Sequence, residues 1–306
     1  MKNLKLLLVS LVILFSHNLT MGQGPKDGKN EKNPVKSALN AFKFRSIGPA
    51  FMSGRIADIA IDPKNENVWY VAVGSGGVWK TENSGTTWTP LADNMPFYST
   101  GCITIDPHNN ASIWLGTGEN VGGRHVGIGH GVYHSKDGGK SWKDMGLKKS
   151  EHISKIIVHP DDPNTVWVAS QGPLWSPGGE RGLFKTTNGG KTWKNTLDIN
   201  EWTGVTDLVI DPNNPNILYA ASWQKHRNVA ALIGGGPGTS LYKSVDGGDN
   251  WSKIDKGLPR SNKGKIGLAI SPMQPNVLYA AVELDKRAGA VYRSNTVSYT
   301  HLRAHE

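Results

Sequence analysis

The chain has 306 residues, a net charge of +9 and one cysteine. With a single cysteine, Cys102, an intramolecular disulfide framework is excluded. The basic excess is spread thinly, without a block of like charge, so the composition argues against nucleic-acid binding. Glycine (37) and tryptophan (11) are abundant and no helical periodicity is sustained beyond the N-terminus. These features favour one or two all-β domains.

The N-terminus has the pattern of an export signal. Residues 1–5 are basic, residues 6–15 are apolar but too few to span a bilayer, and small residues precede a plausible cleavage site at Gln23. We therefore predict a signal peptide over residues 1–22, no transmembrane segment after its cleavage, and a secreted, periplasmic or cell-envelope location. Residues 23–40 are polar and rich in lysine, which predicts a flexible linker.

A hairpin motif recurs along the chain. The pattern Ser/Thr-x-Asp/Asn-x-Gly-x-x-Trp occurs at residues 81–88, 135–142, 186–193 and 244–251. Its acceptor side chains are expected to tie their own turns, because turn chemistry accounts for each residue type; these are Asn83, Asp137, Asn188 and Asp246. Its tryptophans are expected to pack between neighbouring repeat units; these are Trp88, Trp142, Trp193 and Trp251.

Two apolar strands precede each hairpin, and a turn proline separates them. The prolines stand at positions 63, 107, 160, 212 and 272, so the unit repeats every 44 to 60 residues. This arithmetic predicts the four-stranded antiparallel blades of an all-β propeller. We expect its first strands to be buried on both faces.

The repeats bound the predicted domain. Residues 41–296 would form about four complete blades and a partial fifth, an incomplete propeller in an open arc. Residues 297–306 abandon the repeat and are expected to be a non-native tail. The remainder of the propeller would then come from missing downstream sequence.

The turn motif resembles the Asp-box, or BNR repeat, shared by sialidases, xyloglucanase-type glycoside hydrolases and the sortilin family. The resemblance covers residues 43–294 and implies a β-propeller. It says little about activity, because unrelated functions share the motif.

Candidate functional residues lie in the loops on the rim opposite the Asp-boxes, where length and composition vary. Glu119 is the candidate catalytic residue; the candidate binding residues are Arg124, His125, His130, Trp175, Arg181, Trp223, His226 and Arg227. Glu119, Arg124 and His125 suit either proton-transfer chemistry or an internal salt bridge with solvated histidines.

Two further alternatives concern this rim. Trp175 and Trp223 suit either ligand stacking or loop anchoring. No cofactor or metal is predicted, since the spacing of His125, His130 and His226 fits no zinc pattern.

Three functions remain open. The xyloglucanase resemblance implies a catalytic aspartate in the first blade, but the matching position is Gly74, so the expected base is missing. The favoured hypothesis is an exported binding module for a peptide, protein or glycan: the sortilin resemblance implies peptide or protein ligands, and the aromatic and arginine residues of the variable rim suit a glycan or a peptide. The alternatives are a glycoside hydrolase acting on a polysaccharide and an assembly factor that grips a partner complex.

Overall fold

The structure is a computed structural model that describes residues 55–254, 256–284 and 289–295 and the backbone of residues 303–304. The predicted signal peptide, the predicted linker and most of the predicted tail lie outside these residues. The described residues form five four-stranded sheets, a two-stranded hairpin and one 3-10 turn at Lys148–Ser150. No helix in these ranges is long and apolar enough to cross a membrane.

Each four-stranded sheet is one blade, and its strands pair antiparallel in chain order. Blade 1 contains β1 (Ile56–Ile61), β2 (Trp69–Val73), β3 (Gly77–Thr81) and β4 (Thr89–Pro90). Blade 2 contains β5 (Thr100–Asp106), β6 (Asn109–Thr117), β7 (Val132–Ser135) and β8 (Lys143–Asp144). Blade 3 contains β9 (Ile153–Val158), β10 (Val166–Ser170), β11 (Gly182–Thr186) and β12 (Lys194–Leu197).

Blade 4 contains β13 (Thr203–Asp211), β14 (Asn214–Gln224), β17 (Leu241–Ser244) and β18 (Ser252–Ile254), and its long loop forms the hairpin β15 (His226–Arg227) and β16 (Leu232–Ile233). Blade 5 contains β19 (Lys263–Ile270), β20 (Leu278–Leu284), β21 (Gly289–Ser294) and β22 (Arg303–Ala304). The prediction of an incomplete β-propeller of Asp-box blades is confirmed. Its fifth blade gains a fourth strand because residues of the predicted tail pair with Tyr292 and Arg293.

The hydrophobic core lies between the blades. Trp114 and Val132 of blade 2, for example, share a buried cluster with Ile156 and Val168 of blade 3. Apolar surface on one blade is therefore removed from water by the next, which supplies the main stabilising free energy. The expected burial of first strands on both faces is wrong for blade 1. Ile56, Ile59 and Ile61 are each at least half exposed, because no described blade covers that face.

One side-chain hydrogen bond crosses each joint between the innermost strands. Asp58 and Asp207 accept from the backbone N–H groups of Ile103 and Leu268, at 3.1 and 2.7 Å. At the two middle joints the hydroxyls of Thr104 and Ser154 donate to carbonyl oxygens of the following blade, at 2.8 and 3.1 Å. These bonds fix the registration of neighbouring blades where the sheets lie closest together.

An aromatic residue on the second strand of every blade faces a basic residue on the third. The pairs are Tyr70/Lys80, Trp114/His134, Trp167/Lys185, Tyr219/Lys243 and Tyr279/Arg293. In four blades the cation lies 5.5 to 5.9 Å from the ring centroid, within the range of a cation–π contact. Blade 2 differs, because the imidazole of His134 stacks on Trp114 at 4.1 Å and 11°.

Candidate functional site

The Asp-box rim carries the four motif turns, and their polar side chains bond within the turn. In blade 2 the hydroxyl of Ser135 donates to Asp137 at 2.8 Å and accepts the N–H of Gly139 at 2.8 Å. Asp137 also accepts from the backbone and hydroxyl of Ser141, at 2.9 and 2.5 Å. The hydroxyl bond from Ser141, followed by its backbone bond, lowers the pKa of Asp137 to about 2. Both carboxylate oxygens are thus held by the turn itself.

The same bonding repeats in the other three turns, with asparagine in place of aspartate in two of them. The first hydroxyl of each motif donates to the acceptor side chain. That side chain in turn accepts the backbone N–H of the residue four positions later: Asn83 from Thr87, Asn188 from Thr192 and Asp246 from Asn250. An uncharged amide does the same work as the carboxylate.

The motif tryptophans differ in what they contact. Trp142 and Trp193 donate their indole N–H to carbonyl oxygens of the preceding blade, Leu91 at 3.1 Å and Met145 at 2.7 Å. Trp251 donates to its own turn and packs on the cluster between blades 3 and 4. Trp88 is 39% exposed.

The loop rim, on the opposite side, carries the loops that join second to third strands. Its candidate carboxylate, Glu119, directly follows the turn after β6 and is 2% exposed. The guanidinium of Arg55 donates to both oxygens at 2.6 Å, and the N–H of Gly127 donates to Oε2 at 3.0 Å. Glu119 is therefore an acceptor already engaged by blade 1 and by its own loop.

Gly74 lies against this carboxylate. A Cβ built on Gly74 would stand 2.4 Å from Oε1 of Glu119. The space that a side chain at position 74 would enter is thus filled by Glu119. One carboxylate, paired with an arginine, occupies the place where the xyloglucanase resemblance implies a free catalytic aspartate.

The predicted trio of Glu119, Arg124 and His125 is not brought together. Arg124 and His125 are exposed, and within the described ranges neither side chain forms a hydrogen bond or ion pair. His130 is exposed as well, and its backbone N–H donates to the hydroxyl of Thr117 at 2.7 Å.

Arg181 organises the loop of blade 3 from inside. It is 3% exposed and donates to the carbonyl oxygens of Gln171, Pro173, Ser176 and Gly178. Burial lowers its pKa to about 10. With its donors committed to backbone, Arg181 holds the shape of a loop that presents Trp175, which is 46% exposed.

The loop of blade 4 also combines anchors and surface groups. Trp223 is buried and donates to the carbonyl oxygen of Gly234 at 2.8 Å, so it anchors that loop. His226 packs on Trp202 with ring centroids 4.1 Å apart. The N–H of Arg227 donates to Leu174 at 3.0 Å, which ties this loop to that of blade 3.

A buried basic centre lies beneath these loops. The ammonium of Lys225, which is fully buried, donates to the side-chain oxygen of Gln171 at 2.6 Å. Lys265 donates to the carbonyl oxygen of Asn120 at 2.6 Å, and Gln171 donates to the same oxygen at 3.1 Å. Both ammonium groups also lie over the ring of Trp223, at 5.3 and 5.5 Å. Blades 2, 3 and 5 thus meet at the carbonyl oxygen of Asn120, and blade 4 joins them through the bond of Lys225 to Gln171.

The electrostatics of the basic centre disfavour further positive charge. Burial, followed by the charges of Arg181 and Lys265, holds the pKa of Lys225 well below its usual range. Burial, followed by Lys225, lowers the pKa of His152 to about 3, and its Nδ1 has no hydrogen-bond partner. Among the described residues neither lysine forms an ion pair. The centre therefore favours an acceptor or an anion.

Sequence reasoning did not single out Arg55, Asn120, Gln171 or Lys265. Lys225 and Gln171 lie in the loops whose variable length and composition predicted a functional rim, and that variability is what the sequence offered for finding them. The contact between Asn120 and Lys265 spans 145 positions and depends on the curvature of the arc. No group of three or more His, Cys, Asp or Glu side chains in the described ranges could hold a metal ion.

Comparison with known proteins agrees with the propeller fold, but the matched proteins do not share one activity. A family model described as "Sortilin-Vps10: Sortilin, neurotensin receptor 3" matches residues 130–301, more than half of the chain. A probable oligoxyloglucan-reducing end-specific xyloglucanase from Neosartorya fischeri is 23% identical over 240 residues, covering 72% of this chain and 26% of that protein. The chain therefore spans about a quarter of that relative's length.

Solved structures give a parallel picture. An ancestral GH74 enzyme superposes with a TM-score of 0.64 at 25% identity, covering 83% of this chain and 31% of that one. YCF48 from Cyanidioschyzon merolae superposes with a TM-score of 0.53 at 16% identity, covering 84% of this chain and 73% of that one, which shows the fold alone.

Proposed function

The chain belongs to the Sortilin-Vps10 family, and on that premise we propose that it is an exported binding module of the Asp-box propeller type. Its ligand, a peptide, protein or glycan, would be held on the loop rim. Trp175 offers exposed aromatic area there, and Arg124 and His125 offer unpaired polar groups. A few polar groups beside aromatic surface are typical of binding sites.

The burial of Glu119 and its pairing with Arg55 are the observation that carries this proposal. Glycoside hydrolysis needs two carboxylates that flank the scissile bond. At the first-blade position the chain has Gly74, and both oxygens of the neighbouring Glu119 accept from Arg55. A carboxylate that is 2% exposed and doubly bonded to a cation is poorly placed to meet substrate.

Hydrolysis of a polysaccharide is the second candidate, and the names of the xyloglucanase relatives favour it. Glu119 fills the space of the missing first-blade side chain, so it is the residue that such an activity would use. Export is a further part of the proposal and is supported by the N-terminal pattern. Mass spectrometry of the extracytoplasmic protein is expected to find Gln23 as its first residue.

Binding is tested with arrays of xyloglucan oligosaccharides, other glycans and peptides probed with the full chain. We expect Trp175→Ala to weaken binding by about tenfold, in line with a typical aromatic contact. Val245→Ala is the matched control, because Val245 is an exposed apolar residue on the Asp-box rim. Equal binding by both variants would remove the loop rim from the proposal.

Catalysis is tested by measuring new reducing ends from xyloglucan. We expect none from the wild-type chain. Turnover that disappears in Glu119→Gln but survives in Asp137→Asn would overturn the binding-only function. A YCF48 propeller bound to a D1 peptide is among the similar structures, which supports including peptides among the probes.

A further inference from the structure

A cavity of about 670 Å³ opens on the Asp-box rim between blades 2 and 3. Its wall includes Trp142, Met145 and the stacked pair of Trp114 and His134. Three lysines, Lys136, Lys143 and Lys191, also line it. They are exposed, and none of them forms an ion pair within the described part of the chain.

The other joints between successive blades can be compared with the joint that forms this cavity. Between blades 3 and 4, the third-strand Lys185 pairs at 3.0 Å with Asp249, the sixth residue of the next Asp-box. Between blades 1 and 2, the equivalent Lys80 pairs at 2.7 Å with Glu82, the second residue of its own Asp-box. Each of these joints thus brings its own carboxylate to the basic residue of the third strand.

The joint between blades 2 and 3 has lysine at both positions. Lys136 stands where blade 1 has Glu82, and Lys191 stands where blade 4 has Asp249. The carboxylate that does lie in the wall, Asp106, is buried and bonded to His108 at 2.9 Å and to Ser112 at 3.0 Å. It is therefore committed to its own turn and does not neutralise the lysines.

The indole groups show the same missing tie. Trp167 donates its N–H to the carbonyl oxygen of Gly247 in the next Asp-box, at 3.1 Å. Trp114, the equivalent residue of blade 2, is 1% exposed, and its N–H has no partner. An unpaired buried donor is costly, so the wall of this cavity contains a donor that the chain leaves unsatisfied.

We propose that this cavity is a binding site for a carboxylate-bearing oligosaccharide, whose carboxylate takes the place that Glu82 and Asp249 fill at the neighbouring joints. The volume lies in the range of small-ligand sites, and the wall combines aromatic rings with charged groups. A sugar ring with a carboxylate matches both parts of that wall, since its faces are apolar and its edge is anionic. The site lies on the rim opposite Trp175 and does not depend on the function proposed for the loop rim.

Calorimetry with tri-galacturonate and the full chain tests the site. We expect binding that weakens as salt screens the lysines, and no binding of the fully methyl-esterified trisaccharide. Lys191→Asp introduces the residue that blade 4 has at this position, Asp249. It is expected to weaken binding at least about tenfold, because it reverses a charge that contacts the carboxylate of the ligand.

Lys140→Asp is the matched control, because Lys140 is the sixth residue of the Asp-box of blade 2 and faces the other joint. It is expected to change the affinity by less than about twofold, as distant exposed charges do. Equal losses in Lys191→Asp and Lys140→Asp would overturn the site, as would equal binding of the methyl ester. Tighter binding of a sulfated trisaccharide or of hexaglutamate would overturn the assignment to a carboxylated sugar.

Discussion

The Asp-box turns and the basic centre beneath the loop rim use side-chain hydrogen bonds in opposite ways. On the Asp-box rim the acceptor side chain bonds to residues within four positions of itself, as Asp137 does with Ser135 and Ser141. In the basic centre the partner comes from another blade, as in the bond of Lys225 to Gln171. A local bond stabilises one turn, whereas a bond between blades couples two sheets. Damage to the basic centre should therefore cost more.

The largest effect is expected at Gln171. Gln171→Leu would leave the ammonium of Lys225 buried without its acceptor, and such a loss costs about 3 kcal/mol in the free energy of unfolding. Chemical denaturation measures it. Gln171→Leu combined with Lys225→Met should recover most of the loss, because both polar groups are then absent. A double variant as unstable as the single one would show that the pair does not carry the coupling.

The next effect is the response to acid of His152. Its pKa is lowered to about 3 in the folded state, whereas an unfolded histidine titrates near 6.5. The unfolded state therefore binds more protons below pH 6.5, and stability falls as the pH falls. Between pH 7 and pH 5 we expect a loss of about 2 kcal/mol from this group. His152→Gln should flatten the profile measured by denaturation at each pH; an unchanged slope would contradict the prediction.

A smaller effect is expected at Asp137 on the other rim. Asp137→Ala removes the acceptor of one turn and should cost about 1 kcal/mol. Asp137→Asn should cost almost nothing, because Asn83 and Asn188 do the same work in blades 1 and 3. Thermal unfolding of the two variants side by side would show whether the negative charge matters.

The smallest effect is expected at the ion pair of Lys185 and Asp249. Asp249 is exposed, so Asp249→Asn should cost about 0.5 kcal/mol or less, and the difference should vanish in high salt. A loss as large as that of Gln171→Leu would show that burial of a polar pair between blades does not set its cost.

The repeats made the blades and their turns predictable, because the hydroxyl, acceptor and glycine positions of the motif bond within four positions of one another. The strand Val166–Ser170 lies between the turn proline at position 160 and the Asp-box at residues 186–193, as the repeat predicted. The loop rim was less predictable. Glu119 was recognised as a candidate, but its partner Arg55 lies 64 positions away, in a segment without a motif. Such pairs depend on how closely successive blades curve, which no local pattern encodes.

The direction of the tryptophan bonds has a consequence for synthesis. Trp142 and Trp193 each reach back to a carbonyl oxygen of the preceding blade. As the chain leaves the ribosome, each of these indoles emerges when its acceptor strand is already outside. Blades 2 and 3 can therefore dock in the order of translation, and each supplies an indole N–H to a carbonyl oxygen of the blade made before it.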